Sequence, residues 1–95
     1  MTPAGLDVGL RLARYCKALD HPVRVTFVRF LETQRRGATC GEIVRRLPLA
    51  QSTVSEHLRV LEAAGLVESQ AARPKVIYRV NAAQVDAFRR EAAAL

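Results

Sequence analysis

The 95-residue sequence predicts a mostly helical α+β fold: five helices, with one β-hairpin between the fourth and the fifth. Three observations predict it. Apolar residues recur at helical spacing through most of the chain. Helix start and stop signals fall between the periodic stretches, at His21-Pro22, Thr39/Glu42, Pro48, Gly65 and Asn81/Gln84. After Gly65 the period shortens to that of a strand, in Leu66-Val67-Glu68-Ser69 and again in Val76-Ile77-Tyr78-Arg79-Val80.

In chain order, Leu6, Leu10, Leu12, Ala13, Cys16 and Leu19 give a first helix over 6–19 an apolar stripe. Asp20-His21-Pro22 ends it and starts the second, because proline is tolerated in a first turn and disfavours helix in the residue before it. Val23, Phe27, Phe30 and Leu31 mark the inward face of that helix, 22–35, with Arg35 and Arg36 at the negative end of its dipole and Gly37 as its expected cap. Thr39 with Glu42 is a capping box opening a short third helix, 39–47, with Ile43, Val44 and Leu47 inward and Pro48 as its stop. The two-residue step Leu49-Ala50 leads into a fourth helix, 51–64, capped by Gly65. Two short helices across a tight turn make a helix-turn-helix. The hairpin over 66–80 carries a basic tip, Gln70-Ala71-Ala72-Arg73-Pro74-Lys75, and Asn81 with Gln84 reads as a capping box for a last helix, 82–94, striped by Val85, Phe88 and Ala92. The order α-α-α-α-β-β-α is that of a winged helix-turn-helix in one domain, 1–95.

Composition bounds the function. A chain that is 49% hydrophobic and 25% charged folds rather than staying disordered, yet its core is small enough that association with a second copy is expected. No apolar run approaches a membrane span, and the start MTPAGLDVGL lacks a basic, apolar leader, so the expected location is the cytoplasm with no membrane partner. Cys16 and Cys40 make no CxxC and no disulfide framework. The formal charge of +6 is spread over many positions, with +4 on residues 21–48, +2 on 66–80 and −1 on 51–65. A polyanion such as double-stranded DNA is the natural partner of that balance.

The fourth helix has two faces. At about 100° per residue, Val54, Leu58, Leu61 and Gly65 form one stripe, while Ser52, Glu56, Arg59 and Ala63 lie opposite, flanked by Thr53 and Ser55. Small hydroxyl and amide side chains at a helix start allow close approach to a groove, and the positive dipole end suits phosphate. Gln51 can donate to and accept from adenine, and Arg59 can bond guanine or phosphate. The helix itself carries little positive charge, so phosphate attraction is assigned to Arg45, Arg46, Arg73, Lys75 and Arg79 around it.

These residues resemble the ArsR/SmtB-type winged-helix repressors of bacteria. The resemblance runs from about Ala18 to Val80, through KALDHPVRVTFVRFL, TCGEIVRRLPLAQSTVSEHLRVLEAAGLV and VIYRV. It implies a homodimer built from the first and last helices, one recognition helix in each half-site of an inverted-repeat operator, repression by blocking a promoter, and release by an inducer. Position by position, Gln51, Ser52, Thr53, Ser55, Glu56, His57 and Arg59 match the recognition helix, and Arg73 and Lys75 the wing tip. There are two departures: Ala50 stands where a capping Ser or Asp is favourable, and Glu56 where a basic or amide residue is common. Glu56 is left with three roles, reading cytosine, pairing with Arg59 or repelling wrong sequences; His57 is read as anchoring the helix or meeting phosphate.

Sensors similar to this family use several cysteines in the third helix, or His and Asp ligands in the last. Here the third helix offers only Cys40, and the last has Asp86 and Glu91 but no His, so no metal site and no cofactor are expected. Cys16 and Cys40 remain the only thiol candidates for a sensing role, against burial as ordinary apolar residues. No Ser-His-Asp order, glycine-rich phosphate loop or paired carboxylates support an enzyme. The remaining alternative is a winged-helix module that binds an acidic protein rather than specific DNA.

Overall fold

The computed structural model describes residues 4–95; Met1–Pro3, part of the N-terminal stretch read above, lie outside them. The elements are α1 (Leu6–Ala18), α2 (Pro22–Glu32), β1 (Ala38–Thr39), α3 (Cys40–Val44), α4 (Gln51–Ala63), β2 (Val67–Ala72), β3 (Lys75–Val80) and α5 (Ala82–Ala93). The strands form one antiparallel sheet in the order β1-β3-β2.

Local chemistry sets most helix ends. At the start of α2, His21 is extended and its Nδ1 accepts from the Val23 N–H at 3.1 Å, with Pro22 in the first turn. The capping box of α3 is complete: Thr39 Oγ1 accepts from the Glu42 N–H at 3.1 Å, and Glu42 Oε1 accepts from the Thr39 N–H at 3.4 Å. At the end of α4, Gly65 turns the chain with φ 85°, its N–H donates to Glu62 O at 3.0 Å and the Leu66 N–H donates to Leu61 O at 3.1 Å. That pair of bonds is a Schellman motif, which satisfies carbonyls the helix would leave open.

Several expectations are corrected. α2 ends at Glu32, with Thr33 as its cap, and Gly37 serves instead a later turn, donating its N–H to Gln34 O at 2.9 Å. Gly37, with φ 79°, lets the backbone pass against β3: a Cβ there would stand 2.6 Å from both Ile77 Cγ2 and Tyr78 O. This close pass brings in a strand the sequence did not predict, β1, whose Ala38 pairs with Tyr78 and Thr39 with Ile77. α3 stops at Val44, because the Arg46 N–H bonds to Ile43 O at 3.0 Å and tightens the chain before Pro48. The hairpin strands run further than expected, to the pair Ala72 and Lys75, leaving only Arg73-Pro74 as the turn. Asn81 Oδ1 does accept from the Gln84 N–H at 3.2 Å, but the Gln84 side chain accepts from the Tyr15 hydroxyl, so the second capping box is half formed.

The core gathers one face from every helix: Tyr15, Phe27, Leu31, Ile43, Val54, Leu58 and Leu61 are fully buried, joined by Leu66, Val67 and Val85. The stripe expected on α1 meets this core only at its end, through Leu19. Leu6 and Leu10 are 45% and 62% exposed and Cys16 is exposed, while Tyr15 and Ala18 take the inward face. Periodicity finds an apolar face without saying what covers it; here the interior of one chain does not. α1 lies against α5 through the Tyr15–Phe88 edge contact, ring centroids 6.1 Å apart, and an Arg11–Glu91 ion pair.

Candidate nucleic-acid interface

The wheel drawn from sequence holds for α4. Val54, Leu58 and Leu61 are buried, and Gln51, Ser52, Thr53, Ser55, Glu56 and Arg59 are exposed. Ala50 makes no side-chain cap, and the first backbone bond of the helix is from the Val54 N–H to Ala50 O at 3.0 Å. The N–H groups of Gln51, Ser52 and Thr53 therefore have no intrahelical acceptor and concentrate the positive end of the dipole at the surface.

Beside that end lies a groove of about 480 Å³, between the starts of α3 and α4 and the tip of the hairpin. Gln51 and Ser55 line it from α4, Arg45 from the turn after α3, and Pro74, Lys75 and Tyr78 from the wing. Helix amides, a hydroxyl, an amide side chain and two cations thus share one concave surface. Burial pushes the Tyr78 phenol above its ordinary value, so it faces the groove as a neutral hydroxyl. Tyr78 was not singled out from the sequence; the alternation of β3, which places Tyr78 level with Ser69 and Ala38, was the signal that could have found it.

The other cations behave differently. Arg73 is exposed at the hairpin turn. Arg79 donates to Gln70 Oε1 at 2.5 Å, and Arg46 lies over the Phe30 ring at 5.0 Å, turned from the groove towards α2. Arg59 donates to both carboxylate oxygens of Glu56, at 2.8 and 2.6 Å, which realises the pairing role for Glu56 in the free chain. Both partners are largely exposed, and such pairs contribute little to stability.

His57 is half-buried and turned inward. Its Nδ1 lies 3.2 Å from Arg24 Nη1, and its ring meets those of His21 at 4.4 Å and Phe27 at 6.2 Å. Burial first, and then the neighbouring His21 and Arg24, hold its pKa below the ordinary histidine value. The geometry is that of an anchor between α4 and α2.

The two thiols are free and sit on different elements: Cys16 is exposed on α1, and Cys40 lines the groove with Sγ 3.6 Å from Ser55 Oγ. Cys16 is thus not an apolar core residue, while Cys40 is half-buried and packs against the core. Among the described residues no three His, Cys, Asp or Glu side chains cluster as metal ligands, and no helix is long and apolar enough to cross a membrane.

A helix-turn-helix whose second helix presents a polar face beside a basic hairpin defines a class, the winged helix-turn-helix proteins. A family model described as a helix-turn-helix domain matches residues 19–70, more than half of the chain. The chain is 38% identical over 64 residues to the HTH-type transcriptional repressor SmtB of Mycobacterium tuberculosis, an alignment covering 67% of this chain and 46% of that protein. It thus spans about half the length of that relative. The crystal structure of the transcriptional repressor BigR from Xylella fastidiosa superposes with a TM-score of 0.74 at 28% identity, over 98% of this chain and 92% of that one. The homodimeric winged helix-turn-helix DNA-binding domain of Mb0332 from Mycobacterium bovis shares the fold, with a TM-score of 0.75 at 24% identity over 99% and 83% of the two chains. The chain belongs to the ArsR/SmtB-type winged helix-turn-helix family, a family of transcription regulators.

Proposed function

We propose that this protein is a sequence-specific DNA-binding repressor that works as a homodimer in the cytoplasm and is released from its operator by a signal. The observation that carries the proposal is the shared groove, in which the start of α4, the turn after α3 and the wing present Gln51, Ser55, Arg45 and Lys75 to one ligand surface. A duplex meets these requirements: α4 enters the major groove, where Gln51, Ser52, Thr53, Ser55 and Arg59 reach base edges, while Lys75, Arg73 and Arg45 hold phosphates. Glu56 restrains Arg59 before binding, so a correct base must offer the guanidinium more than the carboxylate does. That makes the pair a filter against wrong sequences.

Support for the dimer comes from Leu6 and Leu10, four residues apart on one face of α1 and exposed at 45% and 62%. An apolar face of this kind is expected at an interface between copies. A two-fold axis through α1 and α5 would set two α4 helices on successive major-groove faces about 34 Å apart, which calls for an inverted repeat.

The test is selection from a random duplex library, followed by binding to the recovered site. An inverted repeat is expected, with Arg59→Ala relaxing preference at one position of each half-site and Lys75→Ala weakening all sites alike. Recovery of no common site, with equal binding to all duplexes, would refute specific recognition and favour the acidic-protein module.

A further inference from the structure

We infer that His21, Arg24 and His57 form an acid-sensitive joint that holds α4 at its working angle, so that operator binding loosens as the pH falls. This inference rests on the DNA-reading role proposed above. Arg24 joins three helices with one guanidinium: its Nε donates to Ala18 O at the end of α1 at 2.6 Å, its stem belongs to α2, and its Nη1 reaches His57 Nδ1 on α4 at 3.2 Å. A guanidinium has donors only, so Nδ1 of His57 must be the acceptor and carry no proton. The ring of His57 also meets that of His21, centroids 4.4 Å apart and planes tilted by 51°, and the Nδ1 of His21 accepts from the Val23 N–H to cap α2. Both rings are therefore held through an unprotonated nitrogen.

An imidazolium donates at both nitrogens. Protonation of His57 removes the acceptor for Arg24 and sets a cation against a guanidinium and a second imidazole. The groups facing His57 are His21, Arg24 and Phe27 from the α2 side and Glu56 from its own helix, and Glu56 is already engaged by Arg59. The packing thus opposes the charged form, in keeping with the lowered pKa of His57. The chain has two histidines in all, and both lie in this joint. The acid-sensitive ring of His57 thus sits where α1, α2 and α4 meet, and α1 is the helix that the proposed dimer shares.

The sign distinguishes this joint from a phosphate contact. An imidazolium facing a phosphate would tighten DNA binding in acid, whereas loss of the joint loosens it. The experiment is fluorescence anisotropy on the selected site from about pH 8 to about pH 5.5 at fixed ionic strength, spanning the histidine range. The chain as given is expected to lose affinity with a limiting slope of about tenfold per pH unit for each His57 that takes up a proton, up to about a hundredfold per pH unit for the two His57 rings of a dimer. In His57→Asn, an amide oxygen can accept from Arg24 without titrating. That variant is expected to bind within about threefold of the parent at pH 8 and to show a flatter profile, while His57→Leu is weak throughout.

A flat or tightening profile for the parent, or an unchanged slope in His57→Asn, would overturn the inference. Absence of specific binding at every pH would instead overturn the repressor role. The joint is then decided in the free protein by following the Arg24 Nε–H resonance as the His57 ring titrates. A resonance that moves with the ring supports the joint, and one that stays fixed refutes it.

Discussion

Gly37 and Gly65 share a positive φ, 79° and 85°, but not a neighbourhood, so replacing each by alanine separates backbone strain from crowding. Left-handed backbone costs a residue with a Cβ about 1–2 kcal/mol. Gly65→Ala should cost only that, because no atom lies within 4 Å of the added methyl. Gly37→Ala incurs the same strain and also places its Cβ 2.6 Å from Ile77 Cγ2 and from the backbone oxygen of Tyr78. Ordinary carbon contacts lie near 3.5–4.0 Å, so β1 or β3 must move by about 1 Å. Overpacking on that scale adds about 1–3 kcal/mol, giving a total near 2–5 kcal/mol. Urea unfolding at matched protein concentration measures both values, the matching being needed because dimerisation adds to apparent stability. At roughly 4–8 °C per kcal/mol for a domain of this size, the two melting points should differ by at least about 4 °C. Equal destabilisation, within about 0.5 kcal/mol, would refute the claim that the turn at Gly37 exists to let β1 approach β3.

Three further outcomes are expected. Ala50→Ser supplies the missing N-cap of α4 and should raise stability by about 1 kcal/mol in the same unfolding assay. Glu56→Gln frees Arg59, so binding to a non-operator duplex should rise by about two- to fivefold, the worth of an exposed ion pair, while discrimination between operator and non-operator falls. Stability should also depend on pH with a defined sign. Because the folded chain holds the pKa of His57 below its ordinary value, the native state binds fewer protons than the unfolded one just below about pH 6.5, and stability rises with pH there. Thermal melts should therefore be level above that point and fall below it, down to the folded midpoint, with His57→Asn flatter across the same window. The carboxylate of Glu32, held low by Arg89, adds a second loss in stronger acid, as the pH drops from the ordinary carboxylate midpoint through the folded one.

What was legible in the sequence is what local geometry decides. Val54, Leu58 and Leu61 sit three and four residues apart, and Thr39 needs only Glu42 to cap α3; neither requires knowledge of a distant partner. The strand β1 was not legible, since a two-residue strand has no alternation to read and its partners, Tyr78 and Ile77, lie some forty residues on. Side-chain destinations failed for the same reason. Gln84 is engaged by Tyr15 and Arg46 lies over Phe30, each contact made across the fold; for His57 an anchoring role was legible but its partner Arg24 was not. The α1 stripe shows the limit from the other direction: Leu6 and Leu10 were rightly seen as one apolar face, but none of the described residues buries it. In the candidate interface, the contrast in charge between a lightly charged α4 and a basic wing was readable from charge positions alone. The groove that joins Ser55 to Lys75 was not.

The central claim is that α4 discriminates while the wing and Arg45 supply attraction, and the salt dependence of binding tests it most directly. Each phosphate contact contributes about 0.9 to the slope of log affinity against log salt concentration. Lys75→Ala removes one contact from each protomer of a dimer, so the slope should fall by about 1.8 with the preferred site unchanged. Ser55→Ala should leave the slope intact and lower the preference for that site. The account is contradicted if Ser55→Ala alters the slope and spares preference, or if Lys75→Ala changes which site is chosen.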